Sequence, residues 1–162
     1  MQIFLGLGSN LGDREENLRR AIELLAREIE VTKRSSVYET APLYLKEQPE
    51  FLNMVLGAKT ELAARKIFKK IKHIEKDMGR THSERFGPRL IDIDLLFYGT
   101  ETIKEPDLQV PHQELSERAF VLVPFCEIAP KFLHPVLGVT ISELLSRVSG
   151  REDVRLYSNS RQ

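Results

Sequence analysis

The chain has 162 residues, with 24 basic and 24 acidic side chains and a single cysteine, Cys126. A chain of this length buries about 70% of its unfolded surface, so a packed core is available without disulfides, which a lone cysteine cannot form within the chain. Zero net charge argues against general affinity for nucleic acid or a membrane surface; the apolar run 3–7 is too short for a span or a signal, and one cytoplasmic domain over 1–162 is expected.

Residues 3–8 read as a strand buried on both faces, followed by the turn-rich Gly8-Ser9-Asn10-Leu11-Gly12. Asp13 and Glu16 have capping-box spacing, and Leu18, Ile22, Leu25 and Ile29 recur at helical intervals behind them. A strand over 31–39 ends at Ala41-Pro42, and a second runs over 51–60. The 63–78 segment predicts a helix with Ile67, Ile71, Ile74 and Met78 on one stripe and Gly79 as its stop. A polar loop, 80–89, leads into a strong strand at 90–98, a turn at 99–100 and a short strand around Thr102-Ile103. The 116–129 segment suits a strand through Val121-Leu122-Val123 or a helix bent at Pro124. Thr140 and Glu143 open a last helix that Gly150 stops, and 151–162 read as a polar tail. The order βαββαβ followed by helix predicts an α+β fold, a ferredoxin-like-related sandwich with helices packed on a largely antiparallel sheet.

The densest chemistry lies in Arg89-Leu90-Ile91-Asp92-Ile93-Asp94-Leu95-Leu96-Phe97-Tyr98. Alternate strand residues share a face, which puts Asp92 and Asp94 on one side with Cα atoms about 6.5–7 Å apart. Leu90, Leu96 and Tyr98 are expected beside them, with Ile91, Ile93, Leu95 and Phe97 facing the core opposite. At that separation, with an effective dielectric of about 20, the carboxylates repel by about 2 kcal/mol. A divalent cation would relieve this, and one or two carboxylates plus substrate phosphates is the usual way a protein holds magnesium. The plain alternative is a pair of solvent-side acids. Residues 63–89 hold nine basic and three acidic side chains, and Arg80, Arg85 and Arg89 approach the same end of the strand. Guanidinium groups grip phosphate oxygens in pairs, so an anionic ligand is expected, with Gly87-Pro88 as the stiff side of a closing loop. The helix lysines read mostly as a solvated side. His112, six residues before Arg118, suits a phosphate contact or a structural role. Phe51 and Asn53 share a strand face, and an Asn amide can pair with a heteroaromatic edge. The glycine-rich 6–12 stretch lacks the Gly-Lys-Ser/Thr ending of a phosphate loop and the acidic partner of a dinucleotide fold; it reads as a tight strand-to-helix connection.

Arg85-Phe86-Gly87-Pro88-Arg89-Leu90-Ile91-Asp92-Ile93-Asp94-Leu95-Leu96 resembles the signature of the 6-hydroxymethyl-7,8-dihydropterin pyrophosphokinase family. Gly8-Ser9-Asn10-Leu11-Gly12, Tyr38-Glu39-Thr40-Ala41-Pro42, Gln48-Pro49-Glu50-Phe51-Leu52-Asn53, Glu75 with Gly79-Arg80, and Val110-Pro111-His112 with Arg118-Ala119-Phe120 stand in the family's order. The resemblance implies transfer of pyrophosphate from ATP to the pterin hydroxymethyl group, giving AMP. Asp92 and Asp94 would bind two magnesium ions, and Asp94 rather than Asp92 would also accept the hydroxyl proton. Arg80 and Arg89 would stabilise phosphate charge, while Lys72, Glu75, His112 and Arg118 would serve the nucleotide. The pterin would stack between Phe51 and Phe120, near Phe86, with Asn53 and the Thr40, Ala41, Pro42, Leu43 stretch at its polar edge. Small-molecule substrates and no obligate protein partner are implied. Phe86 stands where many members have Trp, Gln113 where a Tyr is familiar, and the loop lacks a lysine between Arg80 and Arg85, so no catalytic lysine is carried over.

Two other readings compete. A nucleotidyltransferase also uses a paired-acid strand after a Gly-Ser element, but Gly8-Ser9 and Asp92 are too far apart in sequence for one hairpin. A single-stranded RNA-binding sheet would use Phe51 as a platform, but lacks the paired aromatic motif and would place two acids against phosphate.

Overall fold

An apolar run without alternation must be covered on both faces, and β1 (Gln2–Ser9) accordingly lies inside the sheet, between two other strands. The computed structural model describes residues 1–41, 49–79 and 90–157. After β1 come α1 (Arg14–Leu25), β2 (Glu30–Arg34), β3 (Tyr38–Thr40), β4 (Phe51–Lys59), α2 (Ala64–Asp77), β5 (Asp92–Tyr98), β6 (Ile103–Glu105), β7 (Leu108–Val110), α3 (Ala119–Ile128), α4 (Ile141–Arg147) and β8 (Arg155–Leu156). The main sheet has the order β5-β1-β4-β3-β8, with β2 also on β4, and its pairings are antiparallel. This is the expected α+β architecture.

Both predicted capping boxes open helices. The Asp13 side chain accepts from the Glu16 N–H at 3.1 Å, and Thr140 and Glu143 exchange bonds at the start of α4, satisfying donors a helix start leaves open. α1 and α2 cover one face, where Leu18, Ile22, Ile67 and Ile71 pack with Leu5, Leu7, Leu52 and Ile93. α3 and α4 cover the other, around buried Phe4, Phe97 and Phe125. Ring centroids there are 4.6 Å apart for Phe4 and Phe125 and 4.8 Å for Phe97 and Phe132, distances at which aromatic pairs attract beyond the area they bury. The sheet is therefore sandwiched between two helical layers, and a site on it must open where α3 and α4 leave it bare.

Three sequence expectations need correction. The β1–β5 register shifts between Phe4 and Leu5, so Leu5 faces Leu95 while Phe4 faces Phe97. Such a bulge sends consecutive residues to one face: Leu96 and Phe97 both enter the α3–α4 core and Tyr98 turns to the α1–α2 core, the reverse of the sides expected for Phe97 and Tyr98. The 31–39 strand is broken at Ser35, whose hydroxyl accepts from the Val55 N–H at 2.9 Å in place of a backbone carbonyl. The expected short strand near Thr102 forms at Ile103–Glu105, as half of a β6–β7 hairpin. The polar tail begins later than 151, because Arg155 and Leu156 pair with Glu39 and Tyr38 as β8. The 116–129 segment, left open between strand and helix, contains α3 with Pro124 inside it.

Candidate active site

Register places the site. Tyr38 pairs with Asn53, Asn53 with Gly8 and Gly8 with Asp92, forming one row across β3, β4, β1 and β5. The next row joins Val55, Gly6 and Asp94. Paired residues share a face, so Asn53, Asp92 and Asp94 all project on the α3–α4 side of the sheet. Between them the sheet carries no side chain. A Cβ on Gly8 would lie 2.6 Å from Asn53 Oδ1, which shows that the Asn53 amide lies across the glycine toward β5. A Cβ on Gly6 would meet Leu96 at 3.5 Å. The two glycines make a trough floored by backbone. The connection itself is a hydrogen-bonded turn: Asn17 Nδ2 donates to Ser9 Oγ at 3.1 Å and to the Leu11 carbonyl at 2.8 Å, and Gly12 takes φ +69°.

Asp92 and Asp94 share the face that strand alternation assigns them. Burial, and after it the Asp92 charge, pushes the Asp94 carboxyl up to about 7; Glu75 adds to the rise, while Arg118 and Lys72 oppose it. His112 Nε2 lies 3.8 Å from Asp94 Oδ2. Burial and the Arg118 guanidinium lower the His112 pKa, favouring a neutral ring at pH 7. Its Nδ1 accepts from the Glu114 N–H at 3.3 Å, so the proton of the neutral ring is on Nε2, aimed at the acids. The His112 backbone N–H donates to the Leu96 carbonyl at 3.0 Å, which fixes the ring beside β5. Arg118 bonds Glu114 Oε2 at 2.5 Å, and its buried Nε has no hydrogen-bond partner among the described residues.

Glu75, on α2, is 1% exposed. Its Oε2 accepts from the Ile93 N–H at 2.8 Å, on the edge of β5 away from β1 and between the two acids. Its Oε1 lies 3.3 Å from Lys72 Nζ. The nearly complete burial of Glu75 makes it a support for the acid-bearing strand. Phe51, Tyr38 and Phe120 are half-buried, Ala41 is exposed and Thr40 is buried, with no hydrogen-bond partner for Thr40 Oγ1 among the described residues. The Arg118 guanidinium stands 5.6 Å over the Phe120 ring. Pro42, Leu43, Arg80, Arg85, Phe86 and Arg89 lie outside the described residues.

The donor set fits a hard divalent ion. Its carboxylate oxygens share one face, and a cation would remove the repulsion from Asp92 that, after burial, raises the Asp94 pKa. Sequence reasoning missed Gly8 as a close-approach position and Glu75 as a strand support. A Gly two residues from another Gly in an otherwise apolar strand was the available sign of the first.

Comparison with known proteins identifies the family. The model of the 7,8-dihydro-6-hydroxymethylpterin-pyrophosphokinase (HPPK) family matches residues 4–130. The chain is 43% identical over 141 residues to a 2-amino-4-hydroxy-6-hydroxymethyldihydropteridine pyrophosphokinase of Aquifex aeolicus, covering 87% of this chain and 88% of that one. It is 41% identical over 142 residues to the folic acid synthesis protein FOL1 of Dictyostelium discoideum, covering 88% of this chain and 22% of that protein. It also spans only 25% of the bifunctional folate synthesis protein of Pisum sativum. Among solved structures, wild-type HPPK-DHPS of Plasmodium falciparum aligns with a TM-score of 0.73 at 18% identity, over 90% of this chain and 44% of that one, which is a likeness of fold. By its matched span and its identity to the Aquifex protein, the chain belongs to the 7,8-dihydro-6-hydroxymethylpterin-pyrophosphokinase family.

Proposed function

We propose that the protein transfers pyrophosphate from ATP to the hydroxymethyl group of 6-hydroxymethyl-7,8-dihydropterin, releasing AMP, as a cytoplasmic step of folate synthesis. The observation that carries this reading is the row in which Asn53 and Asp92 flank Gly8: a group able to read a heteroaromatic edge and a cation-binding acid lie side by side on one face.

Asp92 and Asp94 would hold the divalent ions. Two magnesium ions, when bound, would neutralise phosphate charge and bring the acceptor hydroxyl to the nucleotide. The pterin hydroxyl oxygen forms its bond to the β-phosphorus, and the bond from that phosphorus to the oxygen bridging it to the α-phosphorus breaks, the oxygen leaving with AMP. The Asp94 carboxylate is assigned the hydroxyl proton by likeness to the family. His112 offers its Nε2–H to a phosphate oxygen, and Arg118 and Lys72 set positive charge beside it, with Arg80 and Arg89 assigned the same task by likeness to the family. Phe51 and Phe120 sandwich the ring, and Thr40 and Asn53 pair with its polar edge. Glu75 keeps β5, and so both acids, in register.

The experiment is incubation of the protein with ATP, magnesium and reduced hydroxymethylpterin. Stoichiometric AMP supports the reading, and release of ADP or free pyrophosphate overturns it. Gly8→Ala tests the row itself. The Asn53 amide must swing away from a new Cβ, so the KM for the pterin is expected to rise about tenfold while the fold and the KM for ATP persist; steady-state kinetics with circular dichroism checks both.

A further inference from the structure

Arg14 is the first residue of α1, where the helix dipole disfavours a cation. Its partners explain its presence. Nη1 donates to Glu39 Oε2 in β3 at 2.7 Å and to the Glu50 carbonyl, just before β4, at 2.8 Å. Arg155 of β8 pairs with the carboxylates of both Glu50 and Glu39, the second at 3.7 Å. The Arg14 guanidinium stands 5.7 Å over the Tyr157 ring, whose backbone N–H donates to the Val37 carbonyl at 2.9 Å. Asn10 Nδ2 adds a bond to the Pro49 carbonyl at 3.2 Å.

These bonds meet at one end of a short ladder. β3 has three residues, and Thr40 with Phe51 is its last pair with β4. Glu39 lies between Tyr38 and Thr40, so its side chain projects to the opposite face. The arginines therefore hold β3 and β4 from behind while Thr40, Phe51 and Asn53 face forward. A ladder end with so few bonds frays unless something holds it, and Arg14 and Glu39 are only 23% and 24% exposed, which limits screening of their pair.

We propose that Arg14, aided by Arg155, is a positioning residue for the pterin: it staples β3 to β4 behind the sheet, sets the spacing of Thr40 and Phe51, and so governs pterin affinity rather than the transfer step. The proposal rests on the function proposed above and assigns the C-terminal strand a part in it.

The test compares Arg14→Met, Arg14→Lys and Arg155→Met with the control Arg19→Met, whose arginine is exposed and, among the described residues, bonds Glu16 and Glu23 within α1. Arg14→Met is expected to raise the pterin KM about tenfold while leaving kcat and the KM for ATP within about twofold. Lysine, which keeps the charge but loses the planar fork, is expected to recover part of the loss. Amide exchange at Thr40 and over 51–53 should quicken in Arg14→Met and Arg155→Met and stay unchanged in Arg19→Met. An unchanged pterin KM with unchanged exchange overturns the proposal, as does a fall in kcat at constant pterin KM. If the wild-type protein forms no AMP, the function fails, and the staple then stands or falls on the exchange rates alone.

Discussion

Asp94→Asn is expected to lower kcat by about 10³-fold or more and, in EDTA, to raise the melting temperature by a few degrees. The two effects share one cause. Asp94 sits on a partly covered face beside Asp92, and its carboxyl is pushed up to about 7 by burial and by that neighbour. A folded-state pKa above the unfolded value means that the ionised form destabilises the fold. The destabilisation is complete above about 7 and fades as pH falls through that value toward the ordinary carboxylate range near 4. The stabilising effect of the Asn variant should therefore be largest near pH 8 and small near pH 5, and magnesium should erase it by stabilising only the wild type. Thermal melts across pH, with and without magnesium, read all three. A variant that melts below the wild type in EDTA at pH 8 contradicts the proposed repulsion, and near-normal turnover contradicts the metal site.

Glu75→Ala is expected to cost about 1–3 kcal/mol of stability, because the Ile93 N–H loses its acceptor in a buried place, and to lower kcat about 10–100-fold through displacement of the strand bearing Asp92 and Asp94. Glu75→Gln keeps an acceptor oxygen for Ile93 and should recover most of the stability and much of the rate. Denaturant melts and steady-state kinetics on both variants separate this from direct nucleotide contact. In that case both changes would raise the KM for ATP, with stability and kcat retained.

The acids were legible because strand alternation depends only on the chain's own period, so Asp92 and Asp94 had to share a face once 90–98 was a strand. Phe97 and Tyr98 were not, because the bulge beside Leu96 is set by the partner: β1 fixes where the register slips. The break at Ser35 was hidden for a similar reason, since a serine hydroxyl can take a carbonyl's place only when a particular N–H, here that of Val55, faces it. β8 is two residues long, too short for any periodicity, and Arg155 owes its position to acids more than a hundred residues away. The caps, by contrast, are local and stood in the sequence as Asp13 with Glu16 and Thr140 with Glu143. Arg14 did leave a trace, a cation at a helix start, which signals a specific partner because the dipole opposes it.

β5 is the outermost strand of the sheet at its end of the order, and apart from Asp92 and Asp94 its seven residues are apolar or aromatic. Such an edge offers another chain a template for aggregation unless something blocks it. Here the Glu75 carboxylate takes the Ile93 N–H and the His112 backbone takes the Leu96 carbonyl, so the groups that align the acids also guard the molecule against sticking to copies of itself.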